Sequence, residues 1–223
     1  MKVIVLGDLH GEFDRLNCLL QQEKPDVILQ VGDFGYWPRI DDQDLAAINT
    51  AHTKIYFCDG NNDDLAYLHP LVKIPGQPVQ ITPGIIYMPR GSVLEIEDGR
   101  RILFIGGAQS IDQGRRFEGW DWFPQEVICD QDVCELPDSI IDIIISHTCP
   151  EEFAIEKYSR QEYPEADPSR QILSQILRRY KPALWYFGHW HVYAQGQYLN
   201  TKWTSLGWAR HWGNWFRILP PAE

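Results

Sequence analysis

The sequence predicts an α/β fold built on parallel strands, and its first 31 residues contain the pattern that indicates it. Lys2–Leu6 and Asp26–Val31 are short apolar runs rich in branched residues, which is typical of strands buried on both faces. Between them, leucine and phenylalanine recur at helical spacing over residues 13–20. A strand, a helix and a second strand in this order imply a parallel pair with a crossover connection.

The elements that follow continue the α/β pattern and then depart from it. A polar helix is predicted at Asp42–Ala51 and a third strand at Lys54–Cys58. The middle of the chain contains three short predicted strands, at Ile85–Met88, Ser92–Ile96 and Arg101–Ile105. Asp98-Gly99, between the last two, is a hairpin signal, so we expect this region to be antiparallel.

The C-terminal part returns to buried strands. Ile140–Ile145 and Ala183–Phe187 are apolar strands, and a helix lies between them. Its start is marked by Asp167 as N-cap and a proline at the first helical position. We expect Tyr158–Pro168 to be a surface loop and the tail from Val192 to alternate short strands with glycine turns.

Composition limits the possible functions. The 223 residues fit one large domain, and no linker rich in Gly, Ser or Pro divides them, so we expect a single domain over residues 1–223. No apolar run approaches the roughly 20 residues that a membrane helix needs, and the N-terminus lacks the features of a signal peptide. The five cysteines show no CxxC spacing, which favours a reduced, cytoplasmic location.

The strong negative charge bears on the substrate. The formal net charge is −11, whereas proteins that hold long nucleic acids usually contact the phosphates with Lys and Arg. A long nucleic acid is therefore not expected as a partner. Bound divalent cations can reverse the field locally, so a small phosphorylated substrate remains compatible with this charge.

Residues of metal-ligand type directly follow five predicted strands. They are Asp8 and His10 in GDLHG, Asp33 in GDFG, Asn61, Asn62 and Asp63 in GNND, His147 in SHTCP, and His189 and His191 in GHWH. Ligands of open α/β sheets bind outside the carboxyl ends of the strands, so strands lying side by side would bring these residues into one pocket.

Each motif alone is a weak signal, because Asp and His are common in loops and an Asn-Asn-Asp run is more often a turn than a ligand set. The joint placement at strand ends is what indicates a site. Carboxylate, imidazole and amide groups bind Mn, Fe, Zn, Ni or Mg ions, and seven such groups exceed what one ion needs. If one carboxylate bridges, we expect two divalent ions that could clamp a phosphoryl group.

Together, the five motifs resemble the calcineurin-like metallophosphoesterase family, and the order matches across residues 7–191. The stretch from PRGSVLEI to RILFIGGAQSID is similar to a bacterial branch of that family. The resemblance implies a four-layer αββα sandwich, with two mixed β-sheets face to face and helices outside. It also implies phosphoester hydrolysis by a hydroxide that bridges a dinuclear centre.

The resemblance further implies a role for each ligand residue. Asp8, His10, Asp33 and His191 would hold one ion, with Asp33 as the bridge. Asn61, His147 and His189 would complete the site of the second ion.

One position departs from the family pattern. The family usually has histidine after GN, near the leaving oxygen, whereas this chain has Asn62. An amide can donate a hydrogen bond but cannot supply a proton near pH 7. Some small relatives without this histidine favour phosphodiesters, so the resemblance implies a phosphodiesterase rather than a phosphomonoesterase. Two other histidines, His52 and His211, are candidate substitutes, although each is more readily explained as structural or exposed.

Substrate contacts are sought in two loops, Asp33–Asp42 and Ser110–Glu126. Arg90 and Arg115 are candidates to bind the substrate phosphate, because arginine forms paired hydrogen bonds with phosphate oxygens. Arg116 is better explained by an ion pair at the surface. Loop tryptophans could stack on a nucleotide base, although core packing is the commoner role; they are Trp37, Trp120 and Trp122.

Two other functions compete with the hydrolase. A binding module that keeps the fold without activity is favoured only by Asn62, and the seven intact ligand positions speak against it. A nuclease acting on long nucleic acid is disfavoured by the acidic composition.

Overall fold

Within residues 1–39, 45–155, 167–210 and 214–222, which the computed structural model describes, the strands form two six-stranded sheets. In spatial order, the first sheet consists of Phe216–Ile218 (β12), Val3–Leu6 (β1), Val27–Gln30 (β2), Lys54–Phe57 (β3), Ile85–Tyr87 (β5) and Val79–Thr82 (β4). The second consists of Ala194–Tyr198 (β10), Thr201–Ser205 (β11), Leu184–Phe187 (β9), Ile143–Ser146 (β8), Arg101–Ile105 (β7) and Ser92–Glu95 (β6).

The two sheets have the same plan, with four parallel strands inside and an antiparallel strand at each edge. In the first sheet β1, β2, β3 and β5 are parallel, and β12 and β4 close the edges. In the second sheet β11, β9, β8 and β7 are parallel, and β10 and β6 close the edges. The carboxyl ends of the four inner strands of each sheet therefore all lie on the same side of that sheet.

The helices begin and end where the sequence provides caps. They are Phe13–Glu23 (α1), Leu65–Leu71 (α2), Asp130–Val133 (α3) and Pro168–Tyr180 (α4). At the start of α4 the Asp167 carboxylate accepts hydrogen bonds from the backbone N–H groups of Ser169 (2.9 Å) and Arg170 (3.4 Å), which confirms the predicted N-cap. Lys24 ends α1 in the left-handed conformation, and its N–H donates to the Leu20 carbonyl.

Three apolar clusters show the order of the layers. The central cluster joins the two sheets, with Val5 and Leu29 from the first and Phe104 and Ile145 from the second. A second cluster packs leucines of α1 and α2 on the outer face of the first sheet. A third packs the apolar side of α4 on the outer face of the second sheet. The four-layer αββα sandwich implied by the resemblance is therefore confirmed.

Two predictions about the middle of the chain need correction. The hairpin at Asp98-Gly99 is present as the antiparallel pair β6 and β7, but β5 is parallel to β3 and β7 is parallel to β8. The region is thus only partly antiparallel, because β5 takes its antiparallel partner from β4, a strand that the pattern did not predict. Residues 42–44 of the predicted helix lie outside the described residues, and a single 3-10 turn, Leu45–Ala47, stands in its remainder.

Two observations complete the fold. Residues 158–166 of the predicted surface loop lie outside the described residues, and the end of that segment starts α4. None of the helices in the described part of the chain combines the length and apolar character needed to cross a membrane.

Candidate metal centre

The predicted ligands meet where the two sheets present their carboxyl ends. Asp8 and His10 follow β1, Asp33 follows β2 and Asn61 follows β3, all in the first sheet. In the second sheet, His147 follows β8, and both His189 and His191 follow β9. The five strands are divided between the sheets, three in the first and two in the second. The face-to-face packing still brings their ends together.

A first group of donors surrounds one point. Asp8, His10, Asp33 and His191 each offer a ligand atom, and these atoms all lie within 4.8 Å of one another. Nε2 of His10 and Nε2 of His191 are 3.0 Å apart, and Nε2 of His191 is 3.1 Å from Oδ2 of Asp8. Two imidazoles and two carboxylates that converge in this way fit a divalent ion.

A second group of donors lies on the other side of Asp33. Oδ1 of Asn61 is 3.0 Å from Nε2 of His147 and 2.9 Å from Nδ1 of His189. Nε2 of His147 is also 3.3 Å from Oδ1 of Asp33, while Oδ2 of Asp33 is 3.5 Å from Nε2 of His10. The two oxygens of Asp33 thus face different groups, an arrangement that suits a carboxylate shared by two ions.

The backbone at four of these residues is left-handed. The φ angles are 47° at His10, 55° at Asp33, 66° at His189 and 49° at His191. This region of φ and ψ costs a residue with a side chain roughly 1–2 kcal/mol relative to the right-handed helical region. The loops after β1, β2 and β9 therefore hold their ligands in strained conformations, as is common at functional sites.

Close contacts between loops explain two of the glycines in the motifs. A Cβ atom on Gly188 would overlap the Asp8 carboxylate, and one on Gly60 would overlap the Asp33 carboxylate. The absence of a side chain lets the loop after β9 approach Asp8, so that the His189 N–H donates to both Asp8 oxygens at 3.1 and 2.9 Å. Gly188 therefore permits the two sheets to share one site, while Gly60 permits the loops after β2 and β3 to approach each other within the first sheet.

The charged groups of the centre shift one another's pKa values. Burial alone would raise the pKa of Asp33, but the neighbouring charges of His147 and His10 hold it well below its usual range. Burial would lower the pKa of His147, but the Asp33 carboxylate raises it to about 9. Without a cation, His147 is thus the counter-charge of Asp33. A metal ion would replace its proton, since an imidazole binds metal only when neutral.

Asn62 occupies the rim of the centre and is held against Asp33. Its backbone N–H donates to Oδ1 of Asp33 at 2.7 Å, and its Nδ2 donates to Oδ2 at 2.8 Å. On the outer side, Nε1 of Trp37 donates to the Asn62 carbonyl at 3.0 Å. The side chain of Asn62 is only partly buried, so it borders the space where a substrate would meet the donors.

Asp63, the last residue of GNND, connects the loops that follow β2 and β3. It is buried and accepts hydrogen bonds from the N–H groups of Gly60 (2.8 Å), Gly35 (2.7 Å) and Phe34 (3.3 Å). Burial and the nearby charge of Asp33 raise its pKa to about 7. Both oxygens of Asp63 thus accept hydrogen bonds from backbone N–H groups of the two loops. Asp63 therefore holds the loops together and is not among the ligands.

The arginines fall differently from the prediction. The Arg90 side chain is 7% exposed, and its Nη atoms donate to the carboxylates of Asp59 (3.1 Å) and Asp132 (2.7 Å) and to nearby carbonyls. These internal ion pairs occupy its Nη donors, which speaks against Arg90 as a contact of the substrate phosphate. Arg115 is exposed, and its phosphate contact stays a prediction.

Three further residues that contact the centre lie outside the five motifs. Arg116, which pairs with Asp112, donates from Nη1 to the Asn61 carbonyl at 3.3 Å. The Trp208 ring lies 5.1 Å from the rings of both His10 and His191. Ser110 hydrogen-bonds the Asn61 side chain.

Two histidines were considered as substitutes for the missing acid. His52 precedes β3 and therefore lies at the amino ends of the strands, away from the centre. His211 lies outside the described residues.

Several known proteins are similar to this chain. A lariat debranching enzyme of Schizosaccharomyces pombe is 27% identical over an alignment of 230 positions that covers 86% of this chain and 48% of that protein. The chain thus spans about half the length of this curated relative. A solved structure with 15% identity shares the fold at a TM-score of 0.54, covering 94% of this chain and 91% of its own.

A second solved structure, the phosphopantetheinyl hydrolase of Mycobacterium tuberculosis, is 15% identical, with a TM-score of 0.48 and coverage of 99% of this chain and 97% of its own. The profile of the calcineurin-like phosphoesterases matches residues 1–193. Because that match spans most of the sequence and includes every predicted ligand, the chain belongs to the calcineurin-like phosphoesterase family.

Proposed function

We propose that this protein is a phosphodiester hydrolase that uses two divalent metal ions. The observation that carries the proposal is the position of Asp33, whose two carboxylate oxygens face separate groups of donors. Asp8, His10 and His191 would hold the first ion together with Asp33. Three further residues would complete the site of the second ion; they are Asn61, His147 and His189.

The bound ions would supply a hydroxide nucleophile near neutral pH and positive charge toward the phosphoryl oxygens. The chain itself would position these parts. Asp33 links the two sites, and the amide of Asn62 lies where it can donate a hydrogen bond to a phosphoryl oxygen. Since this amide has no proton to give, the leaving oxygen is expected to depart unassisted or to take its proton from water. Monoesters with alkoxide leaving groups are therefore expected to react slowly.

Residues 110–126, here called the substrate loop, favour a small substrate that combines a phosphoester with an aromatic group. Arg116 brings a positive charge against the Asn61 carbonyl, where a phosphate oxygen could be bound. The next turn exposes two aromatic rings, with Phe117 74% and Trp120 67% exposed. Large exposed aromatic side chains of this kind can stack on a nucleotide base.

A panel of substrates with several metals tests the proposal. We expect the metal-free protein, reloaded with Mn²⁺, to hydrolyse aryl phosphodiesters faster than the matching monoesters. Across a series of leaving groups, the rate should fall as the pKa of the leaving group rises, because Asn62 cannot protonate it. A rate that is independent of leaving-group pKa would show that another acid takes part.

Metal binding should also stabilise the fold. An ion present at 100 times its dissociation constant stabilises the folded state by about 2.7 kcal/mol, so two ions would contribute about 5 kcal/mol. For a domain of this size we expect Mn²⁺ to raise the melting temperature by roughly 10–20 °C over the chelator-treated protein. Scanning fluorimetry measures this shift, and Asp33→Asn should remove most of it. A melting temperature unaffected by Mn²⁺ would contradict the proposed centre.

The alternative function is a binding module that retains the fold and the metals, and Asn62 is the observation that favours it. The same panel separates the two. Two bound ions without turnover of diesters, monoesters, nucleotides or oligonucleotides would support the binding module.

A further inference from the structure

The side chain of Asn61 belongs to a buried chain of hydrogen bonds that leads away from the metal centre. Its Nδ2 donates to Oγ of Ser110 at 3.0 Å, and this hydroxyl donates to Oε2 of Glu126 at 2.9 Å. Ser110 also donates from its backbone N–H to Oε1 of Glu126 at 2.5 Å. The exposed fractions are 3% for Asn61, 3% for Ser110 and 0% for Glu126, so water does not compete for these bonds.

The chemistry of the three groups fixes the direction of each bond. Glu126 accepts hydrogen bonds from Ser110 at both of its carboxylate oxygens, so the Ser110 hydroxyl points its proton at Glu126. The hydroxyl then offers a lone pair to its other neighbour, and only the NH₂ end of the Asn61 amide can use it. The oxygen end of that amide is consequently turned toward His147 and His189, where it lies 3.0 and 2.9 Å from their ring nitrogens.

We infer that Ser110 and Glu126 are positioning residues that present the oxygen of Asn61, rather than its NH₂ group, to the second metal ion. This inference rests on the proposed dinuclear function. An amide turned the other way would point its N–H donors at the metal ion. It would also point them at the imidazole nitrogens of His147 and His189, the other proposed ligands of that ion. Partners of this kind behind a metal ligand typically change metal affinity by 10–100-fold.

The same pair links the metal centre to the substrate loop. Ser110 and Glu126 are the first and last residues of that loop, and their two hydrogen bonds close its ends against Asn61. Between these ends, Arg116 contacts the Asn61 carbonyl. The side chain and the backbone carbonyl of this ligand of the second ion are thus both held by side chains of the segment proposed to contact the substrate.

Counting bound Mn²⁺ in the full chain tests the inference without depending on turnover. Free Mn²⁺ can be followed by its electron paramagnetic resonance signal during titration of the chelator-treated protein. In Ser110→Ala we expect one of two ions to bind about 10–100-fold more weakly, with the affinity of the other unchanged. Glu126→Gln, which keeps the shape but adds a competing N–H donor, should weaken the same ion.

Ser174 provides a matched control. It is also buried, and its hydroxyl donates to a glutamate, Glu152, at 2.5 Å, but it lies on α4 away from the ligands. Ser174→Ala should bind both ions as the unaltered protein does. Thermal unfolding of the metal-free variants shows whether the two serine substitutions cost comparable stability.

The outcomes separate this inference from the proposed function. If Ser110→Ala and Glu126→Gln bind both ions with unaltered affinity, the positioning role is wrong while the dinuclear centre stands. If Ser174→Ala weakens the same ion, the effect is a general loss of stability and the inference is overturned. If the unaltered chain binds fewer than two ions, the dinuclear function fails and the inference fails with it.

Discussion

Replacing Asp33 with asparagine is expected to lower the turnover of phosphodiesters by about 10³-fold and to abolish the binding of at least one metal ion. The substitution keeps the size of the side chain but removes the charge that both groups of donors share. It also leaves an NH₂ group facing either His10 or His147, depending on the rotamer. Steady-state kinetics at saturating Mn²⁺ and a metal titration measure the two effects.

Asp14→Asn is the matched control for this experiment, because Asp14 lies exposed on α1 and the same chemical change there should leave the kinetics unaltered. Turnover by Asp33→Asn within tenfold of the unaltered protein would rule out a bridging role for this carboxylate. In the metal-free variant His147 loses its counter-charge, so we expect lower stability than in the unaltered protein, and thermal unfolding establishes that the variant is folded before the kinetics are compared.

The second large effect is expected from Asn62→His, which should raise the hydrolysis of alkyl phosphomonoesters by about 100-fold. A histidine titrates near pH 6.5 and can protonate a leaving alkoxide, which the amide cannot. The contact between Trp37 and residue 62 uses the backbone carbonyl, so the substitution need not disturb it. Initial rates on a monoester and an aryl diester, measured side by side, reveal the change in preference.

Asn62→Gln controls for the altered size of the side chain, because it retains an amide without an acidic proton. It should leave alkyl monoesters as poor substrates. If Asn62→His gives no gain on them, the interpretation of residue 62 as the vacant position of a general acid is wrong.

The strands that lead to the ligands were predictable because each is a local pattern followed by a polar motif, although β8 begins three residues after the predicted start at Ile140. Lys2–Leu6 and Asp26–Val31 match β1 and β2 with shifts of one residue at their ends, and Asp167 caps α4 as predicted. Partners that are distant in sequence were not predictable in this way. The last strand, β12, pairs with the first, β1, and no pattern within either segment encodes that pairing.

The wider surroundings of the site escaped the sequence for a related reason. Arg115 and Arg116 are neighbours in a loop without periodicity, so only the fold decides that Arg116 contacts Asn61. Ser110 and Glu126 are common residue types at no recognised spacing. Arg90 was a reasonable phosphate ligand by type, but the buried carboxylate of Asp59 uses its charge. Residue type indicates which chemistry is available, whereas burial decides where it is used.

The left-handed backbone at His10, Asp33, His189 and His191 has a consequence for evolving or engineering this protein. Glycine or asparagine would relax these positions, and even with the entropic cost of glycine subtracted the combined gain of about 2–4 kcal/mol would be a large part of the net stability of an ordinary domain. Selection for heat resistance alone, without metal or substrate, would therefore favour the residues that destroy the centre.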